Sequence, residues 1–258
     1  LILCSDTESV GRVDYYDWTD GTLAMRYSMR LSLPVAEVRR LTAGKLAGGE
    51  NALFVTGVTA DNLTVTDVLA LRSGLLQNAA LGPEGDRLPE GAAFLGLFPR
   101  DENGDGVTEV PEAREMQRFD EEGEMQYYVV WRQYGADGTA ADVQSCYHNV
   151  EDGWNLELPE EWGKAKLAAE RTVGADESAV SFYRVGARGT RERLLTICRL
   201  TGSMREELAD FGDRFTLTRQ VEAVYAAEIG ETWNVQLTEQ SLRDRFSLIM
   251  AEWTMGDN

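Results

Sequence analysis

The first half of the chain alternates apolar and polar residues in short runs bounded by turn residues, a period-two pattern that predicts strands. Val13 to Trp18 is rich in aromatic and β-branched types. Thr19-Asp20-Gly21-Thr22 follows as a two-residue hairpin turn, because Asp-Gly tolerates the positive φ that such turns need, and Leu23 to Leu31 is the return strand. A second hairpin is predicted from Leu53-Phe54-Val55 through Ala60-Asp61-Asn62 to Leu63-Thr64-Val65. A third runs from Tyr127-Tyr128-Val129-Val130-Trp131 through Ala136-Asp137-Gly138-Thr139 to Val143. The first and third share a Trp followed by Asp-Gly-Thr. Hairpins recurring every 40–50 residues or so are the habit of propeller blades, although sandwiches carry hairpins too. The Gly- and Pro-rich stretch from Leu81 to Gly91 is predicted to be a surface loop.

Beyond Asn149 the texture changes. Trp154-Asn155-Leu156-Glu157-Leu158 alternates until Pro159 stops it. Further strands are predicted over Lys164 to Val173, Ala179 to Val185 and Arg193 to Leu200, and a long one from Arg214 to Ile229. Ser203 followed by Glu206 has the spacing of a capping box and predicts a short helix ending near Gly212. Thr238 is placed to N-cap a last helix in which Leu242, Phe246, Ile249, Met250 and Trp253 repeat at helical spacing as a core stripe. The change of texture suggests two domains, 1–148 and 149–258.

Composition narrows the function. Hydrophobic residues make up 43% and charged residues 27% of the 258, which is globular rather than disordered. Forty-four acids against 25 bases leave a net charge of −19, which argues against nucleic acid and against anionic lipid as partners. The single histidine, His148, excludes a multi-histidine zinc site, and three cysteines exclude a disulfide scaffold. Cys146 and Cys198 are expected to be separate buried thiols, with a disulfide between them, if the fold brings them together, as the alternative. No run of about 18 apolar residues exists, so no membrane-spanning helix is predicted. The chain begins Leu1-Ile2-Leu3-Cys4, without an initiator Met or a signal-like stretch, as expected of a processed product or a fragment. Leu3 is bulky where a bacterial lipobox has a small residue, so Cys4 reads as a buried strand cysteine.

One segment carries chemistry. Asp101-Glu102-Asn103-Gly104-Asp105-Gly106-Val107-Thr108-Glu109 places oxygen side chains at positions 1, 3 and 5 of a tight loop, with the Val107 carbonyl and Glu109 as further donors. Hard cations take six to eight oxygens at short range, and no nitrogen or sulfur donor is nearby, so Asp101, Asn103, Asp105, Val107 and Glu109 form a candidate Ca2+ set. Three readings stay open. In an EF-hand Glu112 would close the site between two helices; in a nine-residue inter-strand loop Glu109 would close it; and an Asx-rich turn would hold itself by hydrogen bonds with no metal. Residues 101–125 carry ten Asp and Glu against Arg114 and Arg118. This is expected to be a solvated acidic face, with a basic partner as the alternative.

The segment Asp101 to Pro111 resembles the Asp-x-Asn-x-Asp-Gly-x-x-Glu-hydrophobic-Pro stretch of FG-GAP/VCBS-type repeats of secreted or lipid-anchored proteins from clostridia-like Gram-positive bacteria. The passage Tyr147-His148-Asn149…Gly153-Trp154 to Pro159-Glu160-Glu161-Trp162 is similar to one that follows such repeats, and to the first strand of PsbP/Mog1-like domains. The resemblance implies an α+β chain: a mostly-β N-terminal part of partial propeller-like blades, then an antiparallel sheet flanked by helices. It also implies an extracellular or cell-surface location, with any lipid anchor upstream of this fragment.

The expected function is therefore a non-enzymatic extracellular binding or scaffold protein with a structural calcium loop, whose partner is a protein or carbohydrate at the cell surface. The alternatives are a secreted hydrolase using paired carboxylates and a calcium-responsive switch. No nucleophile elbow or nucleotide-binding glycine loop is present. Trp18, Trp131, Trp154 and Trp162 are expected in the core, with a carbohydrate groove as the alternative.

Overall fold

The computed structural model describes residues 2–5, 11–33, 35–81, 92–93, 96–120, 123–230 and 237–249. Its Cα positions divide into two compact units. Unit 1 comprises Leu1–Ala113 and Val130–Val143, and unit 2 comprises Arg114–Val129 and Gln144–Met250.

Nearly all regular structure is antiparallel sheet. β1 (Ile2–Ser5), β2 (Arg12–Thr19) and β3 (Thr22–Arg30) pair in that order. The Asp-Gly turn forms as read, with Asp20 and Gly21 at φ 52° and 75°. A second sheet runs β4 (Glu37–Lys45), β5 (Asn51–Val58), β6 (Leu63–Arg72), β7 (Leu75–Asn78), with β8 (Ala92–Ala93) also on β6. The hairpin at Asn62 and the hairpin at Gly138 both form, with those residues at positive φ. The third sheet includes β9 (Val110–Glu115), β10 (Tyr127–Tyr134), β11 (Ala140–Asn149) and β12 (Trp154–Glu157). β9 is an edge strand, which is why Pro111 is tolerated there.

After α1 (Glu160–Gly163), unit 2 builds a sheet from β13 (Leu167–Val173), β14 (Glu177–Val185) and β15 (Arg191–Leu200). α2 (Arg205–Ala209) then leads to β16 (Phe215–Arg219) and β17 (Val224–Ile229), and β17 slots between β15 and β16. α3 (Glu239–Arg245) precedes β18 (Phe246–Leu248), which pairs with β12.

The expected α+β class is overturned, because the described residues are 55% strand and 10% helix. The three α-helices among the described residues have four, five and seven residues. A seven-residue helix is about 10 Å long, against roughly 33 Å for a ten-residue strand such as β15. Helices of this length cover only a small part of a five-stranded sheet.

Three local expectations are also corrected. The long strand over Arg214 to Ile229 is two strands, because the Gln220 N–H closes a turn on the Ala223 carbonyl at 2.8 Å. Ser203 does not cap α2. The helix starts one residue later, after Met204, so Glu206 is not at the third helical position that the box requires. The Thr238 cap does form, with Thr238 and Ser241 each accepting from the other's backbone N–H. The helix it opens ends at Arg245, however. Phe246 is extended and pairs with Leu156: the open edge of β12 offers unpaired backbone groups, and three residues of strand satisfy them. Met250 and Trp253 lie outside the described residues.

The core of unit 1 explains the continuous apolar runs in β5 and β6. Phe54 and Val68 bury on one side with Leu46, Val110 and Tyr134. Val55 and Leu69 bury on the other with Val13, Leu31 and Val35. A sheet covered on both faces cannot alternate. Its polar exceptions are paired, as in the buried Thr56–Thr66 hydroxyl contact at 3.0 Å. Asp67, also buried, accepts from the Ser32 N–H at 2.9 Å and from the Asn78 amide. Burial pushes the Asp67 carboxyl above its ordinary pKa, against the pull of those donors.

Unit 2 is built on aromatic packing. Tyr147 meets Phe182 edge-on at 5.0 Å and Trp154 at 5.5 Å, Trp162 lies 6.0 Å from Phe182, and Phe246 touches both Trp154 and Tyr225. Each such pair adds about 1 kcal/mol beyond its buried area. Beside this cluster the turn after β11 is held by Asp152. Its carboxylate accepts from the Ser178 hydroxyl at 2.6 Å, the Asn149 amide at 2.9 Å and the Arg171 guanidinium at 3.3 Å, while its carbonyl accepts from the Tyr225 hydroxyl. Burial alone would raise the Asp152 pKa, but the Ser178, Arg171 and Asn149 donors outweigh it and hold it below the ordinary value. A depressed carboxylate contributes stability that is complete above about pH 4 and is lost as pH falls through its native pKa. Asp152→Ala should therefore cost roughly 1–3 kcal/mol at neutral pH, because it leaves the Ser178 hydroxyl and the Asn149 amide without their carboxylate acceptor, while Arg171 keeps its ion pair with Glu151 at 2.5 Å. In urea unfolding across a pH series, the gap from wild type should narrow below pH ~4.

Candidate metal centre

The acidic loop is closed at its base by strand-like pairing. Arg100 and Glu109 exchange backbone hydrogen bonds at 3.1 and 2.8 Å, so Asp101 to Glu109 is one nine-residue excursion. Neither flank is helical. This removes the EF-hand reading, as does Glu112, whose carboxylate accepts from Arg132 at 3.1 Å and from the Tyr134 hydroxyl at 2.9 Å instead. Gly104 and Gly106 take φ of 78° and 85°, which lets so short a loop curl back on itself.

The loop is also seated on its neighbour. The Thr108 N–H donates to the Lys45 carbonyl at 2.9 Å, and Thr108 is buried. Gly44 makes room for it: a Cβ there would lie 2.1 Å from the Thr108 hydroxyl oxygen.

Each predicted side chain is accounted for. Asp101 accepts three backbone N–H bonds, from Gly104, Asp105 and Gly106, at 2.8–3.1 Å. The Asn103 carbonyl oxygen accepts from the Asp105 N–H, and its amide donates to the Asp105 carboxylate. Asp105 also accepts from the Val107 N–H at 2.8 Å. Glu109 is fully buried and accepts from the Glu102 N–H at 2.7 Å. Carboxylate oxygens of Asp101, Asp105 and Glu109 come within 4.8 Å of one another and could hold a metal ion; Asp101 and Asp105 face solvent.

One participant has no signal in the sequence near the loop. Gln133, on β10, reaches across, and its amide nitrogen donates to both Asp105 and Glu109 at 2.7 Å. Twenty-four residues separate Gln133 from Glu109, and only the pairing of strands brings them together. The Val107 N–H and the Gln133 amide hold the exposed Asp105 carboxyl below its ordinary pKa. Arg100 is committed elsewhere, to Glu102 at 2.6 Å and over the Trp131 ring at 5.0 Å.

These oxygens suit a hard cation. A carboxylate offers about four acceptor sites, and the N–H donors to Asp101, Asp105 and Glu109 leave some of them open. The same donors also offset the mutual repulsion of the acids, so the loop keeps its shape by its own bonds as well.

Other candidate chemistry is not assembled in this way. His148 is buried on β11 with Nδ1 3.3 Å from the Asn155 side-chain oxygen, and the Ser178 hydroxyl donates to Asp152. Cys146 and Cys198 are free and buried. Burial pushes the Cys198 thiol up to about 12, so it is not a thiolate at neutral pH. Trp131, Trp154 and Trp162 are core residues, while Trp18 is 70% exposed. No helix among the described residues is long and apolar enough to cross a membrane.

Searches of protein-family models, curated proteins and solved structures gave no match to the chain.

Three substitutions test the loop's own architecture. Gly44→Ala should lower stability by about 1–3 kcal/mol through overpacking against Thr108, read by thermal unfolding in chelator. Glu109→Ala should cost a similar amount, roughly 1–3 kcal/mol, by leaving the Glu102 N–H and the Gln133 amide without their acceptor. Glu109→Gln, which keeps an acceptor oxygen, should cost less in the same assay.

Proposed function

We propose that the protein is a non-enzymatic extracellular binding or scaffold protein in which Asp101, Asn103, Asp105, Val107 and Glu109 hold a calcium ion. The observation that carries the reading is the convergence of Asp101, Asp105 and Glu109 within 4.8 Å in a hairpin-closed loop. The side-chain oxygens of these three acids and Asn103, with the Val107 carbonyl, would be the ligands, all of them hard donors. The ion would supply charge neutralisation and stiffness, and this chain's residues would position it. Gly44 and Thr108 seat the loop on β4, and Gln133 ties it to β10, so ordering the loop would stiffen both strands. An extracellular setting suits this role, because extracellular modules bind calcium at about 0.1–1 mM, within the micromolar to millimolar range expected here. The likeness of Asp101 to Pro111 to the FG-GAP/VCBS segment supports the same reading, with a protein or carbohydrate partner at a cell surface.

Calcium titration of chelator-treated protein by calorimetry, with Asp105→Ala as control, tests this. Saturable heat in that range is expected, lost in the variant and accompanied by a raised melting temperature, since a ligand that prefers the native state stabilises it. Absence of both heat and thermal shift would leave residues 101–109 a self-bonded turn.

A further inference from the structure

In unit 2, α2 buries Ala209 and much of Leu208 against Cys198, Leu200, Val224 and Ala226 of the sheet. Three large apolar side chains around this helix stay outside. Met204 is 52% exposed, Phe211 72% and Val221 89%. Arg205 joins the segments that carry Met204 and Val221: its guanidinium donates to the Gly202 carbonyl at 2.7 Å and to the Val221 carbonyl at 3.3 Å. The fold gives no local reason for the two most exposed residues. Val221 sits in the tight turn between β16 and β17, a position that ordinarily takes Gly, Asn, Asp or Ser. Phe211 precedes Gly212, and it is Gly212, at φ 69°, that the chain reversal requires.

The charges around these side chains are one-sided. Glu207, Asp210, Asp213 and Glu222 are exposed, with no ion-pair partner among the described residues. The neighbouring cations are already engaged: Arg205 on the two carbonyls, Arg219 on Glu206 at 3.1 Å, and Arg214 on Glu177 at 2.7 Å. The exposed apolar side chains are thus accompanied, within a few residues along the chain, by carboxylates that no cation among the described residues compensates. Interface cores are enriched in aromatic and Met side chains, and a few residues near the centre carry most of the binding energy. Rim charges select the sign of the partner and speed its approach.

We infer that this surface docks a basic, amphipathic protein segment, whose apolar face covers Met204, Phe211 and Val221 and whose Lys or Arg residues meet the carboxylates. Anionic lipid is disfavoured by the same charges. The inference rests on the reading of the chain as a binding protein. It does not involve the cation loop, so its test is run in chelator, and the calcium titration stands or falls separately.

The experiment uses the whole chain and a fluorescent peptide of Lys and Leu at helical spacing, read by anisotropy at low and physiological salt. Saturable binding that weakens with salt is expected. Phe211→Ser with Val221→Ser should lower affinity by about tenfold, and Glu207→Lys with Asp210→Lys by a similar factor. Asp17→Lys with Glu50→Lys makes the same change in net charge on unit 1 and should alter affinity by less than about twofold. All these positions are exposed, and circular dichroism with thermal melting checks that each variant is folded. The inference is overturned by absence of saturable binding, by equal effects of the two charge reversals, or by indifference to Phe211 and Val221. Binding to phosphatidylcholine vesicles that depends on Phe211 and Val221, with none to the peptide, would overturn it in favour of a lipid surface.

Discussion

Backbone hydrogen bonding is the constraint from which the rest of this structure follows. A buried N–H or C=O left unpaired costs about as much as a lost hydrogen bond, and this chain has little helix in which to pair them internally. It pairs them mostly between consecutive strands: β1 to β3, β4 to β7, β9 to β12 and β13 to β15 are each laid down in order. Local hairpins need short turns, which accounts for the positive-φ residues Asp20, Gly21, Asn62, Ser73, Gly74 and Gly138 at strand ends. Long-range pairings such as β17 on β15 and β18 on β12 complete edges that would otherwise be open.

The acidic loop obeys the same requirement. Its base is an antiparallel bridge, its carboxylates take the backbone N–H groups that a nine-residue excursion leaves without partners, and its one buried acid, Glu109, is held by a backbone N–H and a side-chain amide. The hydrogen bonds that shape the loop also point oxygens from Asp101, Asp105 and Glu109 at one another. A metal would add to an arrangement that already exists. The proposed cation role is accordingly one of stiffening rather than of folding, unlike small domains that are unfolded without their metal.

Much of this was legible in residues close together. The Asp20-Gly21, Asn62 and Gly138 turns, the strands over β12 to β15, the Thr238 cap and the nine-residue span of the loop all depend on neighbours within a few positions. Errors came where a distant partner outweighed local pattern. Phe246 continues a helical stripe by spacing, yet the edge of β12 draws it into a strand. Arg214 to Ile229 alternates like one strand, yet its middle turns back so that β17 can reach β15. Ser203 and Glu206 have the spacing of a cap, yet the helix starts one residue too late to use it.

The sequence alone determined that this is an acidic chain with strand patterning along much of its length, that an oxygen-rich loop lies at 101–109, and that one histidine and three cysteines are too few for a multi-histidine zinc site or a disulfide scaffold; the α+β class expected from it was overturned. Those conclusions rest on composition and on contacts short along the chain. Only the tertiary structure decided the rest. It excluded the EF-hand by turning Glu112 to Arg132 and Tyr134, brought Gln133 to the loop, and seated Thr108 on Gly44. It also left Phe211 and Val221 outside the core while burying Trp131, Trp154 and Trp162. The reason is physical: side-chain period and turn chemistry are set by a few adjacent residues, whereas which strands become neighbours is set by burial and backbone pairing summed over the fold.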